Sequence, residues 1–211
     1  MNIFDINYHV PNITLPPLYD AIFSGFYEIV EFFLTIPGID LTIETSYGNA
    51  YDIAASIGHL EIFQLLVTTF PDDCNLLTVL PNALSSQSCQ LVQYVVSICP
   101  DFDFHDFSTD FYSALEEAVS LRNFELTLYL VEDLNIIDES FSASNYKSIV
   151  NKACSITDCE IFHLLFKYKG NYLRIYDIRH FLSNATKVTP NKISHFLYRY
   201  YTELQNGTIT L

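Results

Sequence analysis

Six alanines at near-regular spacing constrain this chain more than any other feature. Ala21, Ala54, Ala83, Ala118, Ala153 and Ala185 follow one another at steps of 33, 29, 35, 35 and 32 residues. Eight residues beyond each alanine stand Ile29, Ile62, Leu91, Leu126, Ile161 and Ile193. Eleven beyond stand Phe32, Leu65, Tyr94, Tyr129, Leu164 and Phe196, and twelve beyond stand Phe33, Leu66, Val95, Leu130, Leu165 and Leu197. Offsets of 8, 11 and 12 form one face of an amphipathic helix. Seventeen beyond, helix stop signals follow in five units: Gly38, Pro71, Pro100, Asn135 and Gly170. Each unit therefore reads as a short first helix carrying a small anchor, a turn, and a longer second helix. The anchor is small because two helices approach closely there. A unit of this size cannot bury its apolar face alone, and stacking builds the core.

In the first two units the residues resemble the ankyrin repeat family. Pro17-Leu18-Tyr19-Asp20-Ala21 is similar to the Pro-Leu-His-x-Ala box of that family. Ala50-Tyr51-Asp52-Ile53-Ala54-Ala55, followed by Gly58-His59-Leu60-Glu61-Ile62-Phe63-Gln64-Leu65-Leu66, matches across both helices of a repeat. Gly38-Ile39-Asp40-Leu41-Thr42 resembles the Gly-Ala-Asp-Val-Asn linker. Units three to six keep the anchor and the apolar offsets but lose the Gly turn and the box. The resemblance spans roughly residues 14–202 and implies an all-α, ankyrin-like helical repeat solenoid with irregular terminal caps. Residues 1–211 are then one domain of about six repeats. TPR or HEAT solenoids are the alternative, but TPR units keep a fixed length near 34 residues, whereas these units vary in their loops.

Charge is unevenly distributed. Residues 1–121 contain 16 Asp/Glu and no Lys or Arg, residues 122–146 carry a net −4, and residues 147–211 carry +5. In a solenoid, sequence order becomes spatial order and the molecule becomes an electric dipole. Basic or mixed-charge partners are expected at the N-terminal half. Nucleic acid is not expected, since phosphate contacts need Lys and Arg. Half the residues are hydrophobic and 17% are charged, which excludes a disordered chain.

Five cysteines without a C-x-x-C spacing give neither a disulfide framework nor a zinc ribbon. Cys154 and Cys159 read as buried thiols rather than a redox pair. Residues 1–10 lack a positive n-region and an apolar h-region, and no apolar run approaches the ~18 residues of a membrane span. The expected compartment is cytoplasmic, with cytoskeleton-associated or nuclear placement as the other options.

No nucleophile elbow, P-loop, dinucleotide fingerprint or H-E-x-x-H is present, so no enzyme activity, cofactor or metal is expected. His59 follows the Gly58 turn, and the family resemblance implies that it bonds backbone and holds the turn. The segment Asp101-Phe102-Asp103-Phe104-His105-Asp106-Phe107-Ser108-Thr109-Asp110-Phe111-Tyr112 falls where an ankyrin finger belongs. An EF-hand reading fails, because its sixth and twelfth positions hold Asp106 and Tyr112 rather than Gly and Glu. Two readings stay open: phenylalanines facing the core with wet aspartates, or a partner-binding tip of aromatic anchors and selecting carboxylates.

Ankyrin arrays bind partners through finger tips and the concave side of the first helix. On this resemblance the candidate contact residues are Phe23, Ile57, Asp101, Phe102, Asp103, Phe104, Asp106, Phe107, Asp110, Tyr112 and Leu121. Arg199, Tyr200 and Tyr201 either cap the last unit or form a C-terminal docking patch. The expected function is a non-enzymatic protein–protein interaction module, an adaptor or scaffold. The alternative is a permanent structural subunit of a large assembly, such as a cytoskeletal or filament complex, built by end-to-end docking of the charge-polarised solenoid.

Overall fold

A computed structural model describes residues 5–10, 14–99, 108–137, 141–168, 173–186 and 191–208. The ordered elements among them are helical, with no strand, and they divide into two compact units, Met1–Asp103 and Phe104–Leu211.

The first unit holds α1 (Pro17–Phe23), α2 (Tyr27–Leu34), α3 (Ala50–Ile57), α4 (Leu60–Thr69), a 3-10 turn (Pro71–Asp73), α5 (Leu76–Ser85) and α6 (Cys89–Ser97). Helices α1/α2, α3/α4 and α5/α6 pack as pairs. Across pairs, α3 packs between α1 and α5, and α2 packs on α4. The second unit holds α7 (Ser108–Ser120), α8 (Phe124–Leu128) continued by a π-helical turn (Tyr129–Asp133), α9 (Ala143–Ile156), α10 (Cys159–Phe166), α11 (Ile175–Thr186) and α12 (Lys192–Gln205). Again the helices pair in sequence, α9 packs between α7 and α11, and α10 packs between α8 and α12.

All six alanines lie in the first helix of a pair and are buried. A larger side chain there would push neighbouring first helices apart. Offsets 8 and 12 are buried from the second pair onward, while Leu65, Tyr94, Tyr129 and Phe196 at offset 11 are only half-buried. The first pair differs. Ile29 and Phe32 are exposed and Val30 is the buried residue of α2, because no helix pair precedes α2 among the described residues. The expected length order holds in α1/α2, α3/α4 and α11/α12 and reverses in the middle pairs, where α5, α7 and α9 run to 10, 13 and 14 residues against 9, 5 and 8 for α6, α8 and α10.

One local geometry recurs four residues after the anchor. Gly25, Gly58, Gln87, Arg122 and Thr157 all adopt left-handed backbone, with φ of 74°, 83°, 58°, 58° and 59°. Each N–H closes the helix end on the carbonyl one residue past the anchor: Ile22, Ala55, Leu84, Val119 and Cys154, at 3.0–3.4 Å. This is the helix stop that glycine favours, since it has no Cβ to clash. Glycine fills it only in the first two pairs, yet the turn persists without it.

The following residue explains the persistence. It is the N-cap of the second helix, namely Phe26, His59, Ser88, Asn123 and Asp158. Phe26 and His59 make no side-chain cap bond. Ser88 accepts from the N–H of Leu91, Asn123 from that of Leu126, and Asp158 from those of Glu160 and Ile161. A capped helix start therefore accompanies every non-glycine turn, each cap contributing about 1 kcal/mol. At His59 the backbone holds the turn, its N–H donating to Ala54 and its carbonyl accepting from Phe63. Its imidazole instead lies against Gly25, where a Cβ would sit 3.0 Å from the ring.

Buried tyrosines of the first helices tie them to the chain that follows. Tyr19 donates its hydroxyl to the carbonyls of Leu41 and Ile43, Tyr51 to Phe70, and Tyr146 to Leu165. Burial raises the Tyr19 and Tyr51 hydroxyls well above the ordinary phenol range. Cys154 is fully buried, and desolvation pushes its thiol up to about 12. It and Cys159 are free thiols, but Cys159 is half-buried rather than buried as expected.

Candidate functional site

The loop between α2 and α3 builds one wall of a surface cleft. Leu41 is buried, and its carbonyl accepts from both the Tyr19 hydroxyl and the Ala50 N–H, which pins the loop base. Beyond it, Thr45–Gly48 makes a tight turn: the Gly48 N–H donates to the Thr45 carbonyl at 3.1 Å, and the Thr45 N–H donates back at 3.2 Å. Gly48 has φ 85° and sits so close to Asp52 that a Cβ would fall 2.6 Å from the Asp52 Cβ. Only glycine closes this turn. Tyr47 is thereby carried to the surface, 60% exposed, with its ring centre 6.0 Å from that of Phe23 in an edge-on arrangement.

The floor comes from α3 and α5. Asn49 caps α3, accepting from the N–H groups of Tyr51 and Asp52, and Asp52 Oδ2 accepts from the Asn49 N–H at 3.2 Å, a reciprocal capping box. Asp52 Oδ1 accepts from Asn82 Nδ2 of α5 at 3.1 Å. Asp52 is only 5% exposed. Together Phe23, Tyr47, Gly48, Asp52, Ser56 and Asn82 border a cleft of about 390 Å³. It combines an aromatic corner, hydroxyl and amide groups, and a near-buried carboxylate.

Among the described residues expected at a contact surface, Phe23 alone borders this cleft; it is 51% exposed at the end of α1. Ile57 ends α3 and is half-buried. Asp101, Phe102, Asp103, Phe104, Asp106 and Phe107 lie outside the described residues. Asp110 and Tyr112 fall in the first turns of α7, both half-buried, with the Tyr112 ring centre 6.3 Å from that of Phe141. Their neighbour Phe111 is buried. Leu121 is exposed just past α7. On α12, Arg199 is exposed and pairs with Glu203 at 2.8 Å. Tyr200 turns its ring onto Phe166 and Phe196, at 5.2 and 6.0 Å, and the Tyr201 hydroxyl accepts from Gln205.

Sequence reasoning missed Tyr47, Asp52 and Asn82 as cleft residues. The Asn49-x-x-Asp52 spacing is a readable capping signal. Asn82 is visible only once α5 is packed on α3.

Among the described residues, no helix is long and apolar enough to cross a membrane, and no group of three or more His, Cys, Asp or Glu could hold a metal ion. No protein-family model and no curated protein matches the chain.

Proposed function

We propose that the chain is a divergent ankyrin-like solenoid acting as a non-enzymatic protein-interaction module, with the Phe23–Tyr47 cleft as a contact site. The observation that carries this reading is the pair of exposed aromatic rings held by a pinned loop beside the first-helix surface. Rigid aromatic groups with a polar surround supply contact energy at little entropic cost. The recurrent left-handed turn and the first-to-first, second-to-second helix packing within each unit support the repeat part of the reading. The acidic N-terminal half supports a partner with basic or mixed charge.

Affinity capture from cell extract, followed by protein identification, tests the proposal. The 211-residue chain and its Phe23→Ala/Tyr47→Ala variant are compared under the same conditions. A protein retained by the first and lost with the second supports the reading. Equal retention by both, with the variant folded, removes the cleft as the contact site.

A second reading is the assembly subunit. Ile29 and Phe32 of α2 and Phe26 at its N-cap are exposed and favour it. Sedimentation of purified chain decides: concentration-dependent growth that Phe32→Glu abolishes supports end-to-end docking, and a monomer at all concentrations excludes it.

A further inference from the structure

Two aspartates occupy the same position in their helices and have different surroundings. Asp52 is the third residue of α3, and Asp177 is the third residue of α11. Each accepts the N–H that precedes its helix, Asp52 Oδ2 from Asn49 at 3.2 Å and Asp177 Oδ2 from Arg174 at 2.7 Å. Both residues are buried, 5% and 6% exposed.

Asp177 has a cation. Lys147 Nζ of α9 lies 3.0 Å from its Oδ2, and the same ammonium stands 5.5 Å from the centre of the Tyr176 ring. Carboxylate, ammonium and aromatic face form a three-part arrangement in which ion pairing and cation–π attraction act on one charge.

Asp52 has the carboxylate and the aromatic groups, since Tyr47 and Phe23 border the same cleft. The cation is missing. No Lys or Arg occurs anywhere in residues 1–121, so the first unit cannot supply one. A carboxylate offers about four acceptor directions. The bonds from Asn49 and Asn82 use two of them. The cleft beside them is open, and Ser46, Ser56, Thr78 and Asn82 line it together with Ile53 and the two aromatic residues.

From this contrast we infer that the Asp52 cleft receives a lysine or arginine side chain of a partner protein, held by the carboxylate and by the Tyr47 and Phe23 rings. The inference rests on the interaction reading above and names the chemistry that the contact selects.

The test uses the isotope-labelled 211-residue chain and amide correlation spectra. Nα-acetyl-lysine amide and Nα-acetyl-arginine amide are titrated into the millimolar range, with uncharged Nα-acetyl-norleucine amide as the control. The expected result is saturable shifts at Tyr47, Gly48, Asp52, Ser56 and Asn82 for the basic amides and none for norleucine. Tyr47→Ala, at an exposed position, is expected to weaken binding about two- to fivefold. Asp52→Asn keeps an oxygen for the Asn49 N–H and is expected to weaken it about tenfold or more. Equal shifts with norleucine, shifts confined to other surfaces, or unchanged affinity in Tyr47→Ala would overturn the proposal. If Asp52→Asn fails to fold, Tyr47→Ala decides alone. Saturable cation binding with no protein captured by the cleft would leave this site standing and remove the interaction reading. Capture that depends on Phe23 and Tyr47, with no response to the basic amides, would do the reverse.

Discussion

The guanidinium of Arg122 donates through Nη2 to the carbonyl of Ile156 at 2.6 Å, joining one left-handed turn to the residue just before the next. Arg122 is itself in the left-handed region, so one residue both bears backbone strain and supplies the bond that offsets it. Arg122→Ala keeps the strain and loses the bond. It is expected to lower stability by about 1 kcal/mol in urea unfolding of the full chain.

Thr157 occupies the equivalent turn position, and a β-branched residue is poorly suited to φ of 59°. Thr157→Gly is expected to raise stability by about 0.5–1 kcal/mol, the relief of left-handed strain less the added freedom of unfolded glycine. A lower urea midpoint for this variant would refute the strain argument.

Gly58 and Gly38 separate backbone strain from crowding. Both have positive φ, 83° and 85°, but a Cβ on Gly58 would meet the Ser88 Cβ at 3.3 Å, whereas Gly38 has nothing within 4 Å. Both alanine variants are expected to lose about 1–2 kcal/mol to strain. Gly58→Ala is expected to lose more, because Ser88 must also shift. Equal losses would show that the contact with Ser88 relaxes freely.

Thiol ionisation gives a pH signature. Burial pushes Cys154 up to about 12, and burial, then the nearby Asp52 charge, pushes Cys74 up to about 11, from an ordinary 9.0. Below pH 9 these thiols are protonated in both folded and unfolded chains, and their contribution to stability is fully present. Above it the unfolded thiols ionise while the folded ones hold their protons. Stability is therefore expected to fall as pH rises from 9 through 11–12. Buried Tyr19 and Tyr51 add the same sign at higher pH. Unfolding midpoints on either side of about pH 9 check this, and Cys154→Ala is expected to flatten part of the slope.

The six alanines and their offsets made the helix pairs legible, because close approach demands a small residue at fixed spacing. Gly25 and Gly58 made the first two turns legible for the same steric reason. The turns at Gln87, Arg122 and Thr157 were hidden because their left-handed residues carry no glycine signal. Their signature lay one position on, in the capping side chains of Ser88, Asn123 and Asp158. The exposure of Ile29 and Phe32 was not readable either, since periodicity shows which residues share a face but not whether a neighbour covers it. Phe23 is among the expected contact residues because the family resemblance gives the first helix a contact face. Its partners Tyr47 and Asp52 needed the pinned loop to bring them alongside.

Every ion pair among the described residues belongs to the second unit: Lys147 with Asp177, Lys167 with Glu132, and Arg199 with Glu203. The first unit has twelve acidic side chains and neither Lys nor Arg. Dissolved electrolyte therefore acts on the two with opposite sign. At physiological ionic strength the screening length is about 8 Å, and adding salt shortens it. In the first unit that relieves carboxylate repulsion and tightens the fold; in the second it weakens attractive pairs. Added salt is thus expected to shift stability toward the first unit and away from the second, without altering a single residue.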